Sequence, residues 1–302
     1  MKIGVGLLIA AMALTPLTDG LSKSLVEDES AFFICFARYF CAGLVALLFS
    51  AIFNRPIEIP RHDRLGQVFR TGLMMGAMTS LIYALSIVPL VRAVGGFLIA
   101  PVVASLISAL LYKEKMNRFR LIGALLSFAG AYGILRAEGS LELGSFMALL
   151  GGFLLGVYLA VTRHASACGD AFSTLVLQCF LGGVMLAPMA FWVGFPSLSV
   201  INLAYIVALG VVFAICHFLT IAAYTRTDAS ILEPFFYFNI VFAIPIGFFW
   251  FNEIPTQTTL IGLAGIIGGG IFVMVSARKQ LGFRKAVFTV SRKLLPNFSL
   301  KI

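Results

Sequence analysis

Shifted against itself by 139 residues, the sequence repeats its landmarks: Glu253 falls on Glu114, Leu260-Ile261-Gly262 on Leu121-Ile122-Gly123, Gly269 on Gly130, Ala243 on Ala104 and Ala223 on Ala84. The most sharply marked copy is the stretch Ile231 to Pro255, ILEPFFYFNIVFAIPIGFFWFNEIP. It is entered through Glu233-Pro234, threaded by Tyr237 and Asn239, and closed by Trp250 and Glu253. A spanning helix needs roughly 20 mostly apolar residues at about 1.5 Å rise each. A chain that uses such a module twice is therefore confined to a bilayer.

Composition agrees. With 60% hydrophobic and 12% charged residues and a mean hydropathy of +1.01, the chain has too little polar surface to cover a globule. Ten spans of about 20 residues use roughly 200 positions and leave no room for a separate soluble domain. The net charge of +9 would suggest nucleic acid in a soluble protein, but here the positive charges fall between apolar segments, where they orient insertion. Nucleic acid is not an expected partner. The five cysteines lack ligand spacing, so neither a disulfide framework nor a metal site is implied.

The apolar segments run over about 3–25, 30–53, 71–89, 93–112 and 121–137, and again over about 143–162, 172–193, 201–224, 231–250 and 258–277. The short apolar start reads as part of the first span rather than a signal peptide, because apolar character resumes after Pro16. With the N-terminus inside, eighteen of the 22 lysines and arginines fall on one side, leaving only Lys23, Arg38, Arg92 and Arg136. That bias fixes the orientation. Each half has an odd number of spans, so the second inserts upside down, as in secondary transporters whose halves rock about a midplane site. The expected fold is thus an all-α membrane protein of ten transmembrane helices. Residues 1–137 and 143–277 form two inverted five-helix repeats, with both termini cytoplasmic. The basic tail 278–302 is either disordered or an amphipathic segment lying on the anionic membrane face.

Ionisable groups inside a span cost about 2.5 to 3.5 kcal/mol on insertion scales and so face a cavity or one another. Asp19 and Arg38 sit at similar depth and can pair. Lys23 follows Asp19 by four residues in the acid-before-base order that favours an intrahelical pair. Asp19 therefore has two candidate partners, and its role is open between charge neutralisation and substrate or proton binding. Pro16 removes an N–H and is expected to free carbonyls near Met12 and Ala13 for a ligand. His217 lies mid-span, with Gly210 and Ala214 on its face, as a proton-coupling group or a hydrogen-bonded link between helices. Glu233 and Tyr237, four apart, are expected on one helical face, with Glu233 also able to cap the helix start. Tyr83 and Tyr237 are the tyrosines expected in a cavity. Trp192 and Trp250 are expected as interfacial anchors.

No P-loop, HExxH, GxSxG or dinucleotide fingerprint occurs in the sequence, so an enzyme or an on-chain ATPase is not expected. Asp19-x-x-x-Lys23, Arg38, the run from Ala100-Pro101 to Glu114 and the run from Glu233-Pro234-Phe235-x-Tyr237 to Glu253 together resemble the EamA-type branch of the drug/metabolite transporter superfamily. The likeness covers about residues 3–277. It implies a basket-like ten-helix fold without cofactors, with a central cavity lined by the first, third, fourth, sixth, eighth and ninth spans. The second half carries Ile240 where the first has Pro101, which argues against a symmetric site. The resemblance implies a secondary carrier in the inner membrane that exports a small polar or zwitterionic metabolite, with protons a candidate coupling partner. The alternatives are uptake of a vitamin or nucleoside-like metabolite, of riboflavin or S-adenosylmethionine type, and, from another class, a lipid flippase. Oligomeric state is open between monomer and homodimer.

Overall fold

The computed structural model describes residues 2–54, 56–57, 64–111, 118–135, 142–162, 171–192, 199–224, 226–227, 232–272 and 275. Glu114 and the tail 278–302 lie outside them. The described helices are α1 (Lys2–Leu25), α2 (Ala31–Ile52), α3 (Arg64–Leu85), α4 (Leu90–Phe97), α5 (Ala100–Leu111), α6 (Arg118–Leu135), α7 (Leu143–Thr162), α8 (Ala171–Trp192) and α9 (Val200–Tyr224). A 3₁₀ turn at Glu233–Tyr237 then leads into α10 (Phe238–Phe251), and α11 (Gln257–Phe272) follows. Among the described residues, seven apolar helical segments, counting α4 and α5 as one, are long enough to cross a membrane, and three apolar helices are shorter.

Two expected spans are broken. The segment read as 93–112 parts at Leu98–Ile99, because Pro101 has no N–H to offer the Phe97 carbonyl. Leu98 N–H instead bonds Val94 O and Gly95 O, and Ile99 N–H bonds Gly96 O at 3.3 Å. The broken backbone lies against glycines of α7: a Cβ on Gly152 would sit 2.8 Å from Phe97 O, and one on Gly156 2.8 Å from Ala100 O. The segment read as 231–250 changes from 3₁₀ to α at Tyr237–Phe238, 139 residues after Leu98–Ile99. A proline matching Pro101 is thus not required for the discontinuity, since Pro234 at the start of the 3₁₀ turn accompanies it instead. Conversely, α1 runs unbroken through Pro16, and Thr15 Oγ1 donates to Ala11 O at 2.8 Å. Pro16 thus removes an N–H without ending the helix.

Helices of the two halves interleave. α1 packs on α9 and α10, α2 on α8 and α9, α3, α4 and α5 on α7, and α4 on α10. Where α6 meets α11 the contacts are reciprocal under the 139-residue offset. A Cβ on Gly130 would lie 2.5 Å from Gly262 O, and one on Gly269 would lie 2.5 Å from Gly123 O. Ser127 Oγ donates to Ile266 O, a residue 139 places on, at 3.2 Å. Small residues that allow backbones to touch are how helices associate where water supplies no hydrophobic drive.

One core joins α1, α2, α3, α8 and α9 around Tyr39, Ile34 and Leu209, and another joins α3, α4, α6, α10 and α11 around Leu85, Ile134 and Ile266. Large apolar side chains cover the outside, including Val184, Phe249 and Ile261. That is a surface for lipid rather than water. Trp192, 90% exposed at the end of α8, and Trp250 are on this surface as well.

Candidate functional site

Asp19 and Arg38 face each other between α1 and α2, each only 2% exposed. Asp19 Oδ1 stands 3.8 Å from Arg38 Nη1, close enough to neutralise charge but too far for the charge-assisted bonds of about 2.8 Å that a docked guanidinium and carboxylate make. Arg38 Nη2 donates to Thr18 Oγ1 at 2.8 Å, and Thr18 passes its own proton to Thr15 O at 2.7 Å. Arg38 Nε and Nη1 and Asp19 Oδ1 make no hydrogen bond although all are buried. Both ions thus keep unspent hydrogen-bonding capacity inside the protein.

The guanidinium lies over Phe213 of α9, 4.3 Å from the ring centre, a cation–π contact strengthened by exclusion of water. Phe213 stacks on His217 one turn later at 5.3 Å and 15°, and meets Tyr39 edge-on at 5.0 Å. His217 Nε2 is 2.8 Å from Gln178 Oε1 of α8, and Gln178 Nε2 donates to Tyr158 OH of α7 at 2.8 Å. With its amide nitrogen committed to Tyr158, Gln178 offers His217 an oxygen. A neutral His217 therefore carries its proton on Nε2. α9 reaches α2 closely enough for this because Gly210 has no Cβ to strike Cys41. A continuous polar and aromatic path therefore runs from Asp19 through Arg38, Phe213, His217 and Gln178 to Tyr158.

Asp19, Arg38 and His217, nominated from the sequence, come together here. The other candidates do not join them. Tyr83 is 39% exposed, because the buried face of α3 is occupied by Met78, Leu81, Ile82 and Leu85. Tyr237 is buried in the other core, its ring ending against Gly270 of α11. Glu233 and Tyr237 lie in a 3₁₀ turn of about 3.0 residues per turn rather than in an α-helix. The Glu233 side chain lies outside the described residues. Lys23 turns away from Asp19 to Glu253 Oε1 at 2.9 Å.

Phe213, Gln178, Tyr158 and Tyr39 were missed. Gln178 alone carried a signal, as an uncharged amide in a span otherwise lacking strongly polar groups. Chemically the site presents a guanidinium fork open to a carboxylate, a carboxylate oxygen open to a cation, and a stacked aromatic pair beside them. Among the described residues no group of His, Cys, Asp or Glu is arranged to hold a metal.

Comparison with known proteins bears on what this site serves. An S-adenosylmethionine uptake transporter of Rickettsia bellii is 24% identical over 285 residues, covering 93% of this chain and 96% of that protein. A riboflavin transporter of Brucella anthropi is 24% identical over 213 residues, covering 68% and 75%. A crystal structure of another protein shares the fold with a TM-score of 0.65 at 19% identity, over 92% of this chain and 97% of the other. The model of the EamA-like transporter family matches residues 2–136 and again 142–275. With both halves matched, the chain belongs to the EamA-like transporter family and is a multi-pass membrane transporter of metabolites.

Proposed function

We propose that the protein is a secondary carrier of the inner membrane that moves a small zwitterionic metabolite by alternating access between two inverted five-helix repeats, with both termini cytoplasmic. The observation that carries this reading is the buried Asp19–Arg38 pair, held 3.8 Å apart with hydrogen-bonding groups on both sides unused. A substrate carboxylate takes the open Nε and Nη1 of Arg38, a substrate cation takes Asp19 Oδ1, and a flat group lies by Phe213 and His217. His217 and Arg38 make a proton a workable coupling ion, since either charge state of the imidazole alters the field at the guanidinium. The reciprocal α6–α11 contacts and the twin discontinuities support the inverted-repeat reading.

The sequence reading favours export. A second reading, uptake of a nucleoside-like metabolite, is favoured by relatives named as uptake transporters of S-adenosylmethionine, a compound with both charge signs and a flat base. Counterflow into oriented proteoliposomes, run with amino acids, S-adenosylmethionine and riboflavin, tests both. Exchange of a labelled zwitterion, lost in Asp19→Asn and Arg38→Gln, supports the site. Counterflow that persists in both variants removes it, and movement of lipid analogues alone makes the protein a flippase.

A further inference from the structure

At the end of the bundle where α1 finishes, three pieces of chain meet on two side chains. Lys23 spends all three of its donors there: on Glu253 Oε1 at 2.9 Å, Val88 O at 2.9 Å and Leu85 O at 3.2 Å. Glu253 uses its other oxygen, Oε2, to accept the Leu90 N–H at 2.7 Å. Leu85, Val88 and Leu90 belong to the turn between α3 and α4, so one ion pair satisfies the end of one helix and the start of the next. Local sequence aims Glu253. Asn252 closes α10 in the left-handed region at φ 53°, and Glu253 N–H folds back to Gly247 O at 2.9 Å. Further polar links at this end join Arg92 to Glu142 and Asn202 to Asp28.

The position of the Lys23–Glu253 pair matters because Lys23 and the α3–α4 turn lie in the first half of the chain, whereas Glu253 lies in the second. Opening this end of the bundle between α1 and α10, which pack on each other, must part them. At 15% and 18% exposure the two side chains lie at the edge of solvent, so water can take over their hydrogen bonds when the pair opens. One turn deeper on the same helix, Asp19 holds a buried oxygen with no hydrogen bond, at the i, i+4 spacing and in the acid-before-base order that suits a lysine partner.

We propose that Lys23 is a two-position switch. Bonded to Glu253 it closes this end of the bundle, the outer end by charge bias. Released, it pairs with Asp19, which opens that end and detaches Arg38 from its only carboxylate partner among the described residues, leaving the guanidinium for the substrate. The proposal rests on Asp19 and Arg38 being the site, as argued above.

The test reads opening without substrate, so that its failure is distinct from failure of the site. A cysteine at Ser22, fully buried between Asp19 and Lys23, is labelled with a membrane-impermeant maleimide in intact cells and quantified on its own peptide by mass spectrometry. Glu253→Gln should raise the labelling rate about tenfold, equivalent to about 1.4 kcal/mol. Asp19→Asn should lower the rate below that of the parent, because the second position is lost. Lys23→Gln, which keeps N–H donors for Glu253 and the two carbonyls but brings no charge to Asp19, should keep labelling slow while counterflow falls at least about tenfold. Unchanged labelling in Glu253→Gln overturns the closure. Full counterflow in Lys23→Gln overturns the switch and leaves a simple latch. Should Ser22→Cys fail to fold, hydrogen exchange over residues 86–91 in the chain with Ser22 intact replaces labelling as the readout, with the same comparison between Asp19→Asn and the parent.

Discussion

The two roles open to Asp19, neutralising Arg38 or serving a ligand, separate in a double-mutant cycle. At 3.8 Å and an effective dielectric of about 20, opposite charges attract by about 4 kcal/mol. Asp19→Asn leaves Arg38 charged and buried with one hydrogen bond to Thr18, and breaking a buried pair in this way costs about 3 to 5 kcal/mol. Arg38→Met strands Asp19 similarly. Because each single variant loses the pair attraction and the double loses it only once, the double variant should recover about 4 kcal/mol of the summed loss. Reversible unfolding in mixed micelles with increasing dodecyl sulfate measures this, and counterflow is measured on the same samples. If the pair serves the substrate, stability returns in the double variant and transport does not. Additivity within about 0.5 kcal/mol would refute the electrostatic coupling. Recovery of both stability and transport would reduce the pair to charge neutralisation.

Two further outcomes follow from the packing. Gln178→Ala removes a partner of both His217 and Tyr158 and strands the buried His217 Nε2, which should destabilise by about 1 to 3 kcal/mol. Gln178→Glu, which keeps the acceptor towards His217, should recover part of that loss in the same unfolding measurement. Gly130→Ala and Gly269→Ala place a methyl against backbone at the same 2.5 Å. Each should cost about 1 to 3 kcal/mol through overpacking, and similar losses would bear out the reciprocity of the α6–α11 contact, whereas a neutral Gly269→Ala beside a damaging Gly130→Ala would contradict it.

Helix existence was readable because lipid-length apolar runs carry a strong signal, and the ends followed local chemistry, as where Ser30 caps α2 by accepting the Phe33 N–H at 3.2 Å. Helix continuity was not readable from proline alone. Pro16 sits inside an unbroken helix, while the segment holding Ile240 is discontinuous without a proline at the matching position. The difference lies in neighbours. The backbone at Leu98–Ile99 follows a glycine face on α7 that no local window includes.

The site divides along the same line. Asp19, Arg38 and His217 were found because a charge or an imidazole in a span is costly wherever it points, so its presence alone signals a partner. Phe213 was hidden among 29 phenylalanines, since nothing in its type distinguishes a ring under a guanidinium from a ring against lipid. Lys23 shows the limit most clearly. Its spacing to Asp19 allows a pair within α1, yet it bonds Glu253, 230 residues away, because the left-handed turn at Asn252 presents that carboxylate at the same end of the bundle. A lysine with one partner fixed by spacing and another fixed by tertiary fold has two wells, and motion of α10 relative to α1 changes the distance to only one of them. For a transporter that must expose its site to each side in turn, such a side chain ties the state of the seal to the charge of the site.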